Sequence, residues 1–249
     1  MQGPYTMRQR LEAARAEGRI MLGGHRGNPA EHPENTLASF QSAIDAGCDM
    51  VECDVHLTAD GELAVIHDHL LERTTDGTGL VGAHTLAELR ELDAGKGQKI
   101  PLLEEVFDLV RGRVGLVIET KQNPVPYPGL EEKLTAVLRE HQMVEHVNVI
   151  SFHHLCIRHL KEVAPELALG IIDASRPIDA VGMMRAAGAD LFSCYFGTLD
   201  PQMVEEIRAA DGAVGVWTVD DQLSLMWARA CHPDSVFTNR PAEIGPFLA

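Results

Sequence analysis

Residues Met50–Leu57 read MVECDVHL, a short run of the kind that predicts a β-strand. Similar runs rich in β-branched residues recur along the chain, and longer segments with apolar residues at i, i+3 and i+4 separate them, which is the spacing of an amphipathic helix. The strand-like runs are Ile20–Gly23, Met50–Leu57, Gly115–Thr120, Val147–Ser151, Ala168–Ile172, Leu191–Cys194, Ala213–Trp217 and Ser235–Thr238. The helical segments between and after them are Asn35–Ala46, Leu103–Arg111, Gly129–His141, Leu155–Ala164, Ile178–Ala187, Pro201–Ala210, Asp221–Ala230 and Pro241–Leu248.

The strict alternation of these strands and helices predicts a parallel sheet and places the chain in fold class α/β. Eight such units in 249 residues fit a closed, TIM-type (β/α)8 barrel better than an open doubly wound sheet. A further helical pattern at Tyr5–Glu17 precedes the first strand. We expect this additional helix to cover the lower end of the barrel.

One connection, residues 58–100, is longer than the others and joins the second strand to the helix that follows it. It contains a short strand-like run, Leu63–Ile66, and a short helical pattern, Leu86–Leu92. No change of composition and no flexible linker marks a domain boundary on either side. We therefore expect residues 1–249 to form a single barrel domain, in which residues 58–100 are a small insertion at the top of the barrel and not an independent domain.

Composition narrows the classes of function. The chain is 45% hydrophobic and 23% charged, which is typical of a globular protein. A formal net charge of −16 argues against binding to nucleic acid or to an anionic membrane surface, because both are negatively charged. No apolar stretch approaches the ~18 residues of a membrane span, and residues 1–17 lack the apolar run of a signal peptide.

Cysteine usage indicates a reducing compartment. The five cysteines include no pair at CxxC spacing, so neither a disulfide framework nor a zinc ribbon is expected. We predict a cytoplasmic protein with buried free thiols that acts on a small molecule; the sequence leaves its oligomeric state open. The cysteines are Cys48, Cys53, Cys156, Cys194 and Cys231.

Acidic side chains lie near the carboxyl ends of the second and third predicted strands, the end at which barrel enzymes carry their chemistry. Because strand side chains alternate between faces, Glu52 and Asp54 project to one side, and Glu119 projects to the same side as Lys121. Three carboxylates that converge would repel one another unless a divalent cation joined them, and oxygen ligands favour Mg²⁺ or Ca²⁺. The alternative is that these acids form structural ion pairs, but their convergence at the active end favours a metal.

Two histidines and two cations flank these acids in the sequence. His25 follows the first strand, and His67 follows the run at Leu63–Ile66. Two histidines are what a displacement reaction requires if one removes a proton from the nucleophile and the other protonates the leaving oxygen. Arg26 can bind an oxyanion bidentately, and Lys121 adds a point charge. Together with a cation, these residues predict a site for a phosphate ester.

Trp217 ends the seventh predicted strand, and its pattern fits either a core residue or a wall against the substrate.

The chain resembles the glycerophosphodiester phosphodiesterases from about Gly23 to Pro241, with the motifs of that family in order. The matching motifs are Gly24-His25-Arg26-Gly27, Pro33-Glu34-Asn35-Thr36, Glu52-Cys53-Asp54-Val55, His67-Asp68, Arg73-Thr74-Thr75, Glu119 with Lys121, Val216-Trp217-Thr218-Val219 and Thr238-Asn239-Arg240-Pro241. The resemblance implies a TIM-type barrel with a small insertion after the second strand, a divalent metal, and hydrolysis of glycerophosphodiesters to glycerol 3-phosphate and an alcohol.

The resemblance also implies a role for each site residue. It makes His25 and His67 the acid/base pair, and it makes Arg26 and Lys121 phosphate contacts. It makes Trp217 an apolar wall near the glycerol or the head group. The metal ligands that it implies are Glu52, Asp54 and Glu119. One position departs from the family pattern: Asn239 stands where the family often has Asp, which is expected to affect only a contact behind the reacting groups.

Two alternative functions compete with this interpretation. An amidohydrolase-type metal hydrolase is suggested by His67-Asp68-His69, which resembles an HxH motif, but Ile172-Asp173 and Cys194-Tyr195 stand where further histidines should end later strands. A non-catalytic barrel that binds phosphodiesters would be expected to lack a histidine or a carboxylate, and none is missing. The residues do not choose between direct attack by water and a cyclic phosphate, do not say which histidine is the acid, and leave the head group open.

Overall fold

A computed structural model describes residues 6–248 of the chain. Its strands form one sheet that closes into a barrel because β1 pairs with both β9 and β2. Within the described residues, every barrel strand runs parallel to its neighbours, and only β3 is antiparallel. The strands are β1 (Met21–Gly24), β2 (Met50–Leu57), β3 (Leu63–Val65), β4 (Gly115–Thr120), β5 (Val147–Ser151), β6 (Ala168–Asp173), β7 (Leu191–Tyr195), β8 (Ala213–Trp217) and β9 (Ser235–Thr238). The (β/α)8 prediction is confirmed.

Helices follow the barrel strands and surround them. Several begin at a side chain that accepts a hydrogen bond from the first turn, as Asp200 and Asp221 do, which stabilises a helix start by satisfying an otherwise unpaired amide. The helices are α1 (Met7–Glu17), α2 (Leu37–Asp45), α3 (Leu86–Glu91), α4 (Leu103–Val110), α5 (Leu130–Glu140), α6 (His154–Val163), α7 (Ala180–Ala187), α8 (Pro201–Ala209), α9 (Gln222–Cys231) and α10 (Pro241–Ile244). No helix among residues 6–248 is long and apolar enough to cross a membrane.

The start of α2 differs from the predicted segment Asn35–Ala46. The helix begins only at Leu37, because Thr36 is its N-cap and Asn35 has a φ of 56°. That φ lies in the left-handed region, which asparagine tolerates better than most residues. The predicted helix includes Asn35, but the backbone at this residue turns away from the helix and directs the Asn35 side chain toward the site.

Helix α1 covers the lower end of the barrel, as the sequence predicted. Thr6 caps the helix, and Tyr5, the first residue of the predicted segment, lies outside the described residues. The side chain of Met7 is so close to β4 that a Cβ added at Gly115 would lie 2.3 Å from its sulfur. Met7 and Ala14 thereby join the apolar residues that fill the barrel interior.

The segment 58–100 begins with β3, which pairs with the end of β2. Alternate side chains of this strand enter two different apolar clusters. Leu63 and Val65 pack into the core between barrel and helices, whereas Ala64 packs with Leu71 and other residues of the same segment. The strand therefore ties the segment to the carboxyl end of β2, beside the carboxylates.

Alternation along the barrel strands separates two sets of buried side chains. Outward residues such as Val51 and Cys53 pack under the helices, whereas inward residues such as Met50 and Val117 fill the barrel. The inward set continues along β2 through Glu52 and Asp54, and along β4 to Glu119. All five cysteines are buried and unpaired, as the sequence predicted.

Candidate active site

Three carboxylates lie together inside the barrel near the carboxyl ends of β2 and β4. Glu52, Asp54 and Glu119 each offer a ligand oxygen within 4.8 Å of the others. The register pairs Asp54 directly with Glu119, which explains why the two side chains meet. Their relative exposures are 3%, 0% and 7%, so these acids are removed from water and interact strongly with one another.

The ammonium group of Lys121 lies among these acids. Its Nζ is 2.9 Å from Oδ1 of Asp54 and 2.5 Å from Oε1 of Glu119. Glu52 Oε2 accepts a hydrogen bond from the backbone N–H of Arg26 at 2.9 Å, but the buried Oε1 has no hydrogen-bond partner. Arg26 Nε lies 3.5 Å from Oδ2 of Asp54, so Lys121 and Arg26 face three acids and leave them incompletely compensated.

Burial and mutual repulsion perturb the three acids in different directions. Burial, followed by the charges of Asp54 and Glu119, raises the pKa of Glu52 well above its usual value. Burial also raises the pKa of Glu119 to about 7, although Lys121 opposes this shift. Burial acts in the same sense on Asp54, but Lys121 and other nearby cations outweigh it and hold its pKa low. A divalent cation fits this set, because oxygen ligands and an unpartnered carboxylate oxygen suit Mg²⁺ or Ca²⁺.

Asn35 fixes the orientation of Asp54. Its Nδ2 donates to Asp54 Oδ2 at 2.7 Å, and its Oδ1 accepts from the backbone N–H of Asp54 at 3.3 Å. The left-handed backbone described above makes this approach possible. Sequence reasoning had assigned Asn35 to a helix and so missed its contact with Asp54, although the motif Pro33-Glu34-Asn35-Thr36 had marked the region.

His25 follows β1 and contacts a neutral amide. Its Nδ1 lies 2.8 Å from Oδ1 of Asn239, and Nδ2 of Asn239 donates to Asp220 Oδ2 at 2.6 Å. A carboxylate can only accept, so the amide nitrogen faces Asp220 and the amide oxygen faces His25. Nδ1 of His25 is therefore the donor, and Nε2 keeps a free lone pair. Burial and the charge of Arg26 lower the pKa of His25 to about 4.

His67 contacts a carboxylate instead. Its Nδ1 lies 2.5 Å from Oδ1 of Asp68, and Arg73 donates to both oxygens of the same carboxylate. Hydrogen bonds from Arg73 hold the pKa of Asp68 well below its usual range. Burial lowers the pKa of His67, but the charge of Asp54 and the hydrogen bond to Asp68 oppose that shift.

A chain of ion pairs connects Arg26 with His67. Glu34 accepts from Arg26 Nη1 at 2.9 Å and from both terminal nitrogens of Arg73 at 2.7 and 3.0 Å. Arg73 in turn binds Asp68, which holds His67. The cation predicted to contact phosphate and the histidine predicted to transfer a proton are thus held in one hydrogen-bonded network.

A second buried group supports the loop of His67 from behind. His56 Nε2 lies 3.0 Å from the backbone oxygen of His67, and His56 Nδ1 lies 2.8 Å from the hydroxyl of Tyr127. A carbonyl only accepts, so Nε2 of His56 is the donor and Nδ1 accepts from Tyr127. His69 also contacts the Tyr127 hydroxyl, at 3.3 Å, and its Nε2 lies 2.6 Å from the Asn123 oxygen.

Aromatic side chains occupy the other side of the barrel mouth. Trp217 ends β8, packs partly against the barrel interior, and contacts two exposed rings. Its ring centroid lies 5.7 Å from that of Phe152 and 5.9 Å from that of Tyr195. Trp217 therefore packs against the core and also borders the mouth, and its role as a wall against the substrate stays a prediction.

The eight predicted site residues lie toward or just beyond the carboxyl ends of barrel strands, or in the loop after β3, and Glu52, the third residue of β2, lies deepest. Several contacting residues were not predicted as part of the site: Asn35, His56, Asp68, Arg73, Tyr127, Phe152, Tyr195 and Asp220. Asp68 and Arg73 belong to the motifs His67-Asp68 and Arg73-Thr74-Thr75, so the sequence did indicate that these two residues lie near the site. The partners His56 and Tyr127 are far apart in sequence, and no local pattern indicates their contact.

Comparison with known proteins identifies the family. The model of the glycerophosphoryl diester phosphodiesterase family matches residues 25–243. A glycerophosphodiester phosphodiesterase of Caldanaerobacter subterraneus subsp. tengcongensis is 38% identical over 88% of this chain and 94% of its own. One from Bacillus altitudinis is 41% identical over 87% of this chain and 93% of its own.

A solved structure shares both the fold and part of the sequence. The phosphodiesterase of Oleispira antarctica, in complex with the product sn-glycerol-3-phosphate, superposes with a TM-score of 0.82 at 30% identity. The match covers 93% of this chain and 98% of that one. With the family match over most of the barrel, these similarities show that the chain belongs to the glycerophosphoryl diester phosphodiesterase family.

Proposed function

We propose that the protein hydrolyses glycerophosphodiesters to glycerol 3-phosphate and an alcohol by metal-assisted catalysis with two histidines. The reaction class follows from membership of the family. The observation that carries the mechanism is the convergence of Glu52, Asp54 and Glu119 near His25 and His67, two histidines that both interact with the charge of Asp54 and have different hydrogen-bond partners. The amidohydrolase alternative is not supported, since the family match covers most of the barrel and β6 and β7 end in Asp173 and Tyr195.

A divalent cation, Mg²⁺ or Ca²⁺, would be held by Glu52, Asp54 and Glu119. When bound, it supplies Lewis-acid stabilisation of the charge that develops on the phosphoryl oxygens. Support comes from the unpartnered Oε1 of Glu52 and from the raised pKa of Glu119. Both indicate a cluster of acids that one lysine does not neutralise.

Arg26 and Lys121 are the cations that we assign to the phosphate. Arg26 is fixed at its backbone by the hydrogen bond to Glu52 and at its guanidinium by Glu34. Lys121 is buried next to Asp54 and Glu119. Side chains held in this way lose little further freedom when they bind an oxyanion, which favours their role in stabilising the transition state.

The partners of the two histidines support a division of roles. His25, whose pKa burial lowers, stays neutral and has a free lone pair on Nε2, so it is suited to remove the proton of the nucleophile. That nucleophile is either water or a glycerol hydroxyl, whose attack would give a cyclic phosphate that water opens in a second step. His67 donates a hydrogen bond from Nδ1 to the Asp68 carboxylate, and this contact and the charge of Asp54 favour its protonated form against burial, so it is suited to carry a proton to the departing alkoxide from Nε2. Trp217 lines the side of the mouth opposite the charged residues and takes the apolar part of the substrate.

We also propose that residues 58–100 belong to the single barrel domain, since β3 contributes to the main core. The five buried thiols favour a reducing, cytoplasmic environment.

The test is to assay EDTA-treated protein for release of glycerol 3-phosphate from a panel of glycerophosphodiesters, with Mg²⁺, Ca²⁺ and Mn²⁺ added back separately. We expect activity to disappear on chelation and to return with a divalent cation. Glu119→Gln should remain inactive, whereas the control Glu145→Gln, at an exposed acid at the other end of the barrel, should behave like wild type. Full turnover in verified metal-free protein would contradict the metal, and binding without product would favour the non-catalytic alternative.

A further inference from the structure

We propose that Phe152, Tyr195 and Trp217 form a binding site for a trimethylammonium head group, so that choline-containing phosphodiesters are preferred substrates. This aromatic platform, as we call the three residues, deepens the proposed function and depends on it for its place in the reaction. It takes the part of the substrate that leaves as the alcohol.

The register of the barrel directs Tyr195 and Trp217 into its mouth, and a ring contact places Phe152 beside them. Tyr195 pairs directly with Trp217. Leu191 and Ala213 point into the barrel, and because side chains alternate along a strand, Tyr195 and Trp217, each four residues later, point inward as well. Phe152 lies one residue beyond β5, and its ring centroid is 5.7 Å from that of Trp217. The three rings therefore meet at the end of the barrel at which Glu52, Asp54 and Glu119 lie: Tyr195 and Trp217 come from β7 and β8, and Phe152 follows β5, which pairs with β4.

The rings of the aromatic platform are accessible and stand at steep angles. Phe152 and Tyr195 are 45% and 38% exposed, and their planes lie at 80° and 57° to that of Trp217. Strand β6 lies between β5 and β7. Asp173 of β6 pairs with Cys194 of β7, so Ala174, the next residue, lies level with Tyr195. This small residue leaves the mouth open between the two exposed rings.

The charges around the aromatic platform favour a cationic ligand. The loops after β5, β6, β7 and β8, residues 152–153, 173–179, 196–200 and 218–221, contain five aspartates and one arginine. That arginine, Arg176, is already paired with Asp200. The basic residues assigned to the phosphate, Arg26 and Lys121, lie instead on the loops after β1 and β4. A phosphocholine group has the same polarity, with its phosphate on one side and its cation on the other.

A trimethylammonium group fits this surface better than other small alcohols do. Its charge is spread over methyl groups, so it is readily desolvated and binds over aromatic faces. A primary ammonium is a compact, strongly hydrated charge, so it loses more hydration when it leaves water for an aromatic face. Neutral polyols have no charge for the acidic loops to attract.

The test compares glycerophosphocholine with its neutral isostere, glycerophospho-3,3-dimethylbutanol, in which carbon replaces nitrogen. We expect kcat/KM to favour the choline ester by about tenfold. Phe152→Leu and Tyr195→Leu should each remove most of that preference, because kcat/KM should fall more for the choline ester than for its neutral isostere. The control Phe247→Leu, at an exposed ring near the chain end, should leave the preference intact.

Equal or better turnover of the neutral isostere would show that the aromatic platform acts only as an apolar surface, and it would overturn the proposal. A uniform loss on all substrates in the Leu variants would also overturn it.

A binding measurement separates this proposal from the proposed function. In Trp227→Phe, Trp217 is the single remaining tryptophan, so its fluorescence reports on the aromatic platform alone. Tetramethylammonium should change that fluorescence saturably, and tert-butanol should not. Loss of turnover with this binding intact would contradict the proposed function alone, whereas absence of a saturable response would overturn the proposed head-group site.

Discussion

Nδ1 of His25 lies 2.8 Å from the amide oxygen of Asn239, so the hydrogen-bond partner of this histidine is neutral. The nearest carboxylate in the chain of hydrogen bonds is one residue further away, on Asp220, which receives the amide N–H of Asn239 at 2.6 Å and its backbone N–H at 2.7 Å. Burial and the charge of Arg26 lower the pKa of His25 to about 4, because the hydrogen bond with Asn239 and the charge of Asp54 do not offset them.

Exchanging the two residues should change the pH profile. In the double variant Asp220→Asn with Asn239→Asp, every hydrogen bond still joins a donor to an acceptor, but the carboxylate is now the direct hydrogen-bond partner of His25. An adjacent anion favours the imidazolium, so the pKa of His25 should rise by at least about 1 unit. A base with a higher pKa becomes protonated at a higher pH, so the acidic limb of the kcat/KM profile should move upward.

An acidic limb that stays in place would show that His25 does not act as the base. Asn239→Asp alone is a weaker test, because it places two carboxylates against each other.

The carboxylate cluster predicts a thermal response to divalent cations. A ligand that binds only the folded state stabilises it by about 2.7 kcal/mol at a concentration of 100 Kd, so Mg²⁺ or Ca²⁺ should raise the Tm of the metal-free protein. Glu52→Gln removes one of three mutually repelling acids and its unpartnered oxygen. This variant should be at least as stable as wild type without metal, but its Tm should respond much less to the cation.

Glu145→Gln is the matched control, and its Tm should rise with the cation as in wild type. A Glu52→Gln protein that responds fully would place the cation elsewhere.

The barrel and the inward acids were predictable because both follow from local periodicity. Alternation of strand and helix signals predicts the closed parallel sheet, and a period of two within Met50–Leu57 places Glu52 and Asp54 on one face. These features depend on residues close to one another in the chain.

The contacts around the reacting groups were not predictable in the same way. Asn35 falls outside helix α2 because its φ is left-handed, and the spacing of apolar residues carries no information on a single backbone angle. His25 and His67 look alike in sequence, but loop geometry gives one an amide partner and the other a carboxylate. Phe152 lies one residue beyond a strand, where alternation alone does not tell whether a side chain still points inward.

Tyr127 should contribute to stability through its hydroxyl. Tyr127→Phe leaves Nδ1 of the buried His56 without a donor, and an unpaired buried polar group costs about 1–3 kcal/mol. We expect a decrease of that size in the free energy of unfolding, measured by urea denaturation. Tyr195→Phe is the control, because that residue is 38% exposed, and the stability of this variant should match that of wild type. Equal stabilities of the two variants would contradict the hydrogen-bond arrangement behind His67.

The two histidines should respond differently to the leaving group. His25→Ala and His67→Ala should fold normally, because both side chains lie in loops at the cleft, and each should lower turnover of glycerophosphoglycerol by about 10²–10⁴ if it transfers a proton.

Glycerophospho-p-nitrophenol releases a phenolate that requires little protonation. On this substrate His67→Ala should recover much of its rate, since only the general acid has become dispensable, whereas His25→Ala should not. The rate of each variant is divided by that of wild type on the same substrate, so that any affinity of the nitrophenyl ring for the aromatic platform cancels. Recovery by His25→Ala instead would reverse the assignment of acid and base, and equal losses on both substrates would rule out a division of labour between the two histidines.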